Sequence, residues 1–553
     1  MGLLKGRSAA ASGLGIALIL QALIGAFAVF VVRDRGWDDG AITLAFARTF
    51  AEHGRIALTA ASDPVEGFSS PTWFLVNAAA AVFRPGFAGA IALSQGFVTL
   101  CLMASSILLF LIGRRLALTD GVLAAVLIVF ALSGPGLAEA ANGMEMGLLA
   151  AAGLAFVYSV YVRPNPLGAA LAGMLFLSTR FEAISYYGLL IAPLLLERRA
   201  RKALVLAGFG MIVFALQTSG RVDLFGAFLP NTIFAKMHAP YAFPGVAALQ
   251  SRLAAALELV TLTAPLALTA LFLALTNPED LRALAPQKRS LLILAAPIAA
   301  VELFALVTGK NQGYLGRMAF LGLPFALLLF GLLFDLFAKR LRPDMRRVLL
   351  TVAGAATVQI GLMTSVPTAL AGLTSAADAM PVTPDAYRRT GMSIDRLRER
   401  LGLSRIVFLT PDVGGLGLCC EQIRVLDLGL LTSHPLALSG YGALPALIAT
   451  ERPDVIEAHR GWAQASDIYD LTLFKADYRA AMLDGLRVYL RADHAAWLLT
   501  HGQASWCPAQ DPACLDMALQ RHRYVLDATR TDDVAFLNNG GFVLLKPLNN
   551  RIS

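Results

Sequence analysis

The chain has 553 residues, 57% hydrophobic and 15% charged, with a mean hydropathy of +0.64 and a formal net charge of +8. A soluble domain carries about 25% charged residues, so this composition excludes a soluble protein and implies a polytopic membrane protein. The Lys and Arg excess falls in clusters between apolar segments, as in membrane-protein loops, and no basic stretch interleaved with aromatics argues for nucleic-acid binding.

Lys5 and Arg7 precede an apolar run from about Ala11 to Val32. Ala26-Phe27-Ala28 offers a signal-peptide cleavage pattern. The run nevertheless continues through Phe30-Val31-Val32, longer than a signal h-region, so an uncleaved first helix is expected. Further apolar segments fall near 88–112, 120–137, 146–162, 166–179, 183–196, 203–218, 253–275, 290–308, 317–338 and 348–366.

Segment 71–83 is also apolar, and its placement decides the topology. The cationic clusters are Lys5/Arg7, Arg114/Arg115, Arg163, Arg198/Arg199/Arg201/Lys202, Arg282/Lys288/Arg289 and Lys339/Arg340/Arg342/Arg346/Arg347. If 71–83 lies along the surface, all of them share the cytoplasmic side; if it crosses, Arg114/Arg115 move to the outside. The first option is expected. It gives about eleven transmembrane helices, with the N-terminus inside and the C-terminus outside.

A membrane-embedded domain is thus expected over 1–370, with long outer loops at 33–87 and 219–250, and a soluble outer domain over 380–553. Pro381 and Pro384 mark the start of the latter. Arg405-Ile406-Val407-Phe408-Leu409-Thr410 reads as a strand ending at a Pro-Asp/Gly-Gly turn, and Val455-Ile456 and Gly541 to Leu545 as two more. Segments 385–401 and 475–500 show helical periodicity, so the domain reads as α/β. Cys507 and Cys514 bracket a polar turn and are candidates for a disulfide in an oxidising compartment. Cys101 reads as a packing residue, and adjacent Cys419-Cys420 does not have metal-site spacing.

Asp38 and Asp39 stand just past the first apolar run, in Gly36-Trp37-Asp38-Asp39-Gly40. Adjacent carboxylates beside a membrane helix are costly and call for a role. Ile42, Phe46 and Phe50 recur at helical spacing, predicting an amphipathic helix over 38–52. One aspartate can cap that helix. The other is then free to act as a general base toward an attacking hydroxyl.

Several stretches resemble a known family. They are Trp37 to Thr43 with Phe46-Ala47-Arg48 and Glu66-Gly67-Phe68-Ser69-Ser70-Pro71-Thr72-Trp73; Asn142-Gly143-Met144-Glu145; Thr179-Arg180-Phe181-Glu182; and Arg221 to Gly226 with Leu229-Pro230-Asn231-Thr232 and Lys236. In the outer domain they are Asp412 to Gly417, Val425 to Leu430 and Arg452 to Ile456. Together they resemble the GT-C superfamily of membrane glycosyltransferases, most of all the bacterial branch that includes the terminal arabinofuranosyltransferases. That resemblance implies a polyprenyl-phosphate sugar donor, a glycan or lipid acceptor in the cell envelope, and a bacterial plasma-membrane location. Two departures stand out: Phe181 replaces a proline, and Lys310, before Tyr314 and Arg317, replaces an acidic residue. The second weakens a metal site there; no cofactor is fixed, and a divalent cation stays open.

The topology alone puts Asp38, Asp39, Glu145, Arg180, Glu182, Arg221, Lys236, His238, Lys310 and Arg317 at one face. Asp39 or Asp38 is the candidate base. Arg180, Arg221, Lys236 and Arg317 are candidates for the donor phosphate, since Arg pairs two phosphate oxygens at once. Glu145, Glu182 and Asn231 are candidate substrate contacts. Simpler readings exist: Arg180–Glu182 as a structural ion pair, Arg221 and Lys236 as loop charges, Arg317 as a snorkelling cation, His238 as a solvated loop histidine. Trp462, Trp497 and Trp506 could stack on sugars, although core packing is the commoner use. With one base and no second free carboxylate, transfer would invert the anomeric centre; Glu145 is the residue that could provide a double displacement instead. A transporter or flippase of lipid-linked sugars is the alternative class. It would favour internal repeats and midplane charges, neither of which the sequence offers.

Overall fold

The computed structural model describes residues 9–242, 244–276, 278–309, 316–374, 382–508, 511, 536 and 540–546. Among the described residues, six helices are long and apolar enough to cross a membrane: Ala9–Val32, Phe87–Arg115, Ala200–Phe225, Gly245–Thr276, Leu284–Thr308 and Pro343–Ala369. A seventh candidate is bent by 41° between Asp120–Ala131 and Gly134–Asn142. The break falls at Ser133-Gly134-Pro135, where proline starts the second half in the first turn, the one place a helix accepts it freely. Four shorter apolar helices follow the same order: Met146–Val162, Pro166–Thr179, Ala183–Leu196 and Leu323–Phe337. In sequence order these match the eleven apolar segments. Phe130, Phe156, Phe176, Phe320 and Phe325 fill the interior of the bundle. Leu204, Leu216, Leu268, Leu275 and Val307 point outward, an arrangement that suits hydrocarbon rather than water. The chain is a multi-pass membrane protein with a C-terminal sheet domain.

Segment 71–83 forms a helix only over Pro71–Ala81. Eleven residues rise about 16 Å, half of the roughly 30 Å of a bilayer core, so this helix is too short to cross. Ser70 caps it through Trp73 N–H, and Phe74 packs against Phe50 and stacks on Phe68 at 4.5 Å. Its partner is the amphipathic helix Asp39–His53.

The C-terminal domain is built on strands β1 (Ile406–Thr410), β2 (Ile423–Asp427), β3 (Val455–Ile456), β4 (Tyr478–Leu483), β5 (Leu486–Arg491), β6 (Ala504–Pro508) and β7 (Gly541–Leu545). Their order is β2-β1-β3-β5-β4-β7-β6. β2, β1 and β3 are parallel; β5 runs antiparallel to β3 and β4. Side chains on β1 alternate between two buried faces: Ile406 and Phe408 join one core, Val407 and Leu409 the other. That explains the unbroken apolar run, since a sheet covered on both faces has no polar side to show. Burying a side chain such as Phe408 contributes about 1.5–3 kcal/mol.

Segment 475–500 corrects the helical expectation. Tyr478–Leu483 and Leu486–Arg491 are a β-hairpin, and only Ala492–Thr500 after it is helical. The turn is Asp484-Gly485, with φ of 47° and 79°; two successive positive φ values make the tight hairpin turn that Asp-Gly favours.

The two parts of the chain share packing. Phe46, Phe68 and Phe74 of the first long loop lie in one core with Phe408 and Val425 of the sheet. The edge strand β2 is covered by that loop: Thr59 Oγ1 donates to Ile423 O at 2.7 Å, and Ser62 Oγ accepts Val425 N–H at 3.1 Å. An edge covered in this way offers no free ladder to another chain. Cys419 and Cys420 are joined as a vicinal disulfide, and Cys507 is disulfide-bonded. Cys514, Lys310, Tyr314 and Pro381 lie outside the described residues.

Candidate active site

Between the membrane bundle and the sheet domain lies a cavity of about 830 Å³. Asp38, Asp39, Glu145, Arg180, Lys236 and Arg317 all line it. Four separate stretches of membrane-domain sequence, around Glu145, Arg180, Lys236 and Arg317, therefore meet the first loop in one space. The size suits a small organic ligand, for which about 300–1,000 Å³ is usual.

Asp38 occupies the N-cap position of helix Asp39–His53, yet its side chain makes no capping bond there. Its carboxylate turns to the sheet domain and accepts Gly414 N–H at 2.9 Å and Gly415 N–H at 2.7 Å. Those groups open the short helix Gly414–Cys419, so Asp38 supplies its missing acceptors. Glycine is required at the first position because a Cβ on Gly414 would run into Asp38 itself. Burial and nearby Asp412 push the Asp38 carboxyl up to about 8, against the pull of the two N–H groups.

Asp39 is different. Its side chain sits deep in the protein but keeps 38% of its surface open to the cavity. Arg317 Nη1 stands 3.7 Å from Asp39 Oδ2, and the Trp37 side chain donates to the same carboxylate. Burial raises the Asp39 carboxyl above its ordinary range, while Arg317 and Lys236 oppose the rise.

Behind them runs a chain of alternating charges. Arg317 Nη2 lies 3.6 Å from Glu145, the Arg180 guanidinium bonds Glu145, and Arg180 Nε donates to Glu182 at 2.5 Å. Arg180 falls in the extended break between helices Pro166–Thr179 and Ala183–Leu196, and Glu145 immediately precedes Met146–Val157. Arg180 is thus neutralised by two carboxylates. Lys236, by contrast, makes no ion pair within 4.0 Å among the described residues while lining the cavity. Burial, with Arg180 and Arg317 nearby, brings the Lys236 ammonium down to about 8.

Three candidates fall outside the cavity lining. Arg221 is tied to Glu66, Nη2 donating to Oε1 at 3.2 Å, with both side chains buried. Glu182 serves Arg180 and does not line the space. Asn231 donates to the carbonyls of Leu430 and Leu431 and its Oδ1 lies 3.0 Å from His434 Nδ1, so the Pro-Asn-Thr stretch latches onto the sheet domain. His238 likewise approaches Leu438 O at 3.2 Å. Of the three sheet-domain tryptophans, Trp462 lines the cavity; Trp497 and Trp506 are surface residues.

Sequence reasoning missed Glu66 as the partner of Arg221, and it missed Asp412, Glu457 and His459 as site residues. Asp412 follows β1 and Glu457 and His459 follow β3, at the carboxyl ends of two adjacent parallel strands. Ligand crevices in such sheets open at that edge, and this was the available signal. His459 Nε2 lies 3.0 Å from Asp412 Oδ2, and Nδ1 lies 2.6 Å from Glu457 Oε1. The two carboxylates raise the imidazole to about 10 despite its burial. The same three side chains could converge on a divalent cation: His459 Nδ1 is hydrogen-bonded to Glu457, while among the described residues the buried Asp412 Oδ2 has no hydrogen-bond partner.

No protein-family model matches the chain, and no curated protein sequence matches it. Its fold is similar to those of solved membrane proteins. An oligosaccharyltransferase of Archaeoglobus fulgidus, tethered to an acceptor peptide, is 10% identical with a TM-score of 0.45, over 95% of this chain and 82% of that one. The oligosaccharyltransferase AglB of the same organism, in complex with an inhibitory peptide and a dolichol-phosphate, is 11% identical with a TM-score of 0.48, over 95% and 83%. ArnT of Cupriavidus metallidurans, bound to undecaprenyl phosphate, is 16% identical with a TM-score of 0.42, over 78% and 79%. At these identities the likeness is one of chain path, and residue roles rest on the cavity itself.

Proposed function

We propose that this protein is a membrane glycosyltransferase of the GT-C type. It transfers a sugar from a polyprenyl-phosphate donor to a hydroxyl of a cell-envelope glycan or lipid. The observation that carries the reading is the juxtaposition, in one cavity, of the exposed carboxylate Asp39 with Lys236 and Arg317. The motif resemblance adds a pentofuranosyl donor as the preferred substrate. The distribution of cationic loops supports a bacterial plasma-membrane location with the cavity on the extracytoplasmic side.

In the proposed reaction Asp39 accepts the proton of the acceptor hydroxyl. The acceptor oxygen bonds to the anomeric carbon as the bond from that carbon to the phosphate oxygen breaks. The electron pair leaves on the phosphate, held by Lys236 and Arg317. The departing polyprenyl phosphate, a phosphate monoester, is a good leaving group, so charge stabilisation matters more than a general acid. Glu145 is held by Arg180 and Arg317, which favours its role in orienting Arg317 over attack on the sugar. One displacement at one face inverts the anomeric centre. The purified protein, incubated with a panel of polyprenyl-phosphate sugars, is expected to release polyprenyl phosphate. Transport of the intact lipid-linked sugar without release would favour the transporter class instead.

A further inference from the structure

The vicinal disulfide Cys419–Cys420 has no part in the site described above, and it lines a second cavity of about 610 Å³. Arg48 of helix Asp39–His53 shares that lining with Arg388 and Met392 of helix Pro384–Arg400. A disulfide stabilises a fold mainly by closing a loop of the unfolded chain, and the gain grows with the length of the loop. Adjacent cysteines enclose no other residue, so a staple does not account for this bond.

The packing around the sulfurs is one-sided. A Cβ on Gly391 would meet Cys419 Sγ at 2.8 Å and Cys420 Sγ at 2.9 Å, so helix Pro384–Arg400 closes one side. The cavity lies on another. Cys419 is half-buried, and its Sγ stands 3.4 Å from Leu416 O and 3.7 Å from Arg388 O. A disulfide sulfur has no proton to give those carbonyls, whereas a thiol can donate to either. The surroundings therefore accept the reduced pair, and the cavity gives two unbonded sulfurs room to part.

The disulfide also sits at a mechanical joint. Helix Gly414–Cys419 is held at its start by Asp38 through Gly414 and Gly415 N–H. At its end the Arg48 guanidinium donates to Leu418 O, and Arg48 Nη2 donates to Glu421 Oε1 at 2.8 Å. Both holds come from the first loop, and the second one flanks the two cysteines. We propose that Cys419–Cys420 is a redox-active disulfide, exchanged with a dithiol through the second cavity, and that reducing it loosens the Arg48 hold between the first loop and the sheet domain. A thiolate of the dithiol attacks one sulfur, and the other cysteine leaves as a thiolate and takes up a proton. The second thiol of the reagent then displaces the first cysteine from the mixed disulfide. Two electrons and two protons pass to the protein, and the reagent becomes a disulfide. The dithiol is a small molecule or the exposed pair of a protein oxidoreductase. Nothing in this step uses the sugar-transfer chemistry, so it stands or falls apart from the transferase reading.

The test treats the folded, full-length protein in detergent with dithiothreitol or, separately, with reduced thioredoxin. N-ethylmaleimide is added before denaturation, and the labels are located by peptide mass spectrometry. Two labels are expected, on Cys419 and Cys420, at a dithiothreitol concentration that leaves the Cys507 disulfide intact. Labelling by thioredoxin as well assigns the reductant to proteins; labelling by dithiothreitol alone assigns it to small thiols. The reduced protein is expected to lose its sheet domain to limited proteolysis about ten-fold faster, the effect of a hold of one or two hydrogen bonds. A Cys419→Ser, Cys420→Ser protein is expected to be cleaved at the fast rate with or without reductant. Wild-type protein that takes no label at these two cysteines until it is denatured overturns the redox site, and this readout needs no variant to fold. Full labelling with an unchanged proteolysis rate overturns the coupling to the first loop.

Discussion

The Asp38 carboxylate accepts the Gly415 backbone N–H at 2.7 Å, across 377 positions of sequence. Adjacent aspartates therefore have separate work: Asp38 fastens the first loop to the sheet domain, and Asp39 faces the cavity. In Asp38→Asn an amide N–H₂ must face one of the two backbone donors. Leaving a buried backbone N–H without its acceptor costs about 1–3 kcal/mol. The variant is expected to unfold at lower temperature and to lose its sheet domain sooner to limited proteolysis. Gly414→Ala, which crowds Asp38, is expected to behave alike. Wild-type resistance in both variants would show that the fastening has no energetic weight.

In the proposed reaction Lys236 sets an alkaline limit. Its ammonium is charged below about 8 and neutral above. As pH rises through 8, the cation proposed to hold the donor phosphate is lost, so kcat/KM for donor is expected to fall. Lys236→Arg keeps the charge and is expected to move that limb beyond pH 9 or so, since guanidinium stays protonated. A pH profile of kcat/KM for the two proteins checks the assignment, and superimposable alkaline limbs would refute it.

His459 contributes to stability with a defined sign. Its folded value of about 10 lies above the ordinary 6.5, so the contribution is complete below about pH 6.5 and is lost as pH rises toward 10. His459→Gln leaves Asp412 and Glu457 buried together without their cation, a defect of about 3–5 kcal/mol near neutrality. Thermal unfolding of both proteins from pH 6 to pH 10 should show the gap narrowing at the alkaline end.

Arg221 was a natural candidate for phosphate, but its guanidinium is spent on Glu66. Glu66→Gln is expected to lower thermal stability by breaking a buried pair, with donor KM close to wild type. A donor KM raised ten-fold in a protein of wild-type stability would return Arg221 to the site.

The sequence was most legible where one physical demand acts on many residues. The apolar segments follow from the bilayer alone, and the β1 run follows from a sheet buried on both faces. Pro71–Ala81 was assigned to the surface by loop charges, and its eleven-residue length makes it too short to span. The reading failed where one local signal outweighed a pattern: Asp484-Gly485 makes a hairpin from a segment with helical periodicity. It also failed where partners are distant. Nothing local to Glu66 names Arg221, and nothing local to His459 names Asp412, although each lay at the end of a recognisable element.

The most direct test of the account is single-turnover cleavage of a polyprenyl-phosphate sugar by wild type and by Asp39→Asn in the presence of acceptor. A base in this position is worth about 10²–10⁴ in rate. A loss of that size is expected in Asp39→Asn, with wild-type thermal stability and an inverted anomeric centre in the wild-type product. Near-normal turnover by a folded Asp39→Asn protein would contradict it.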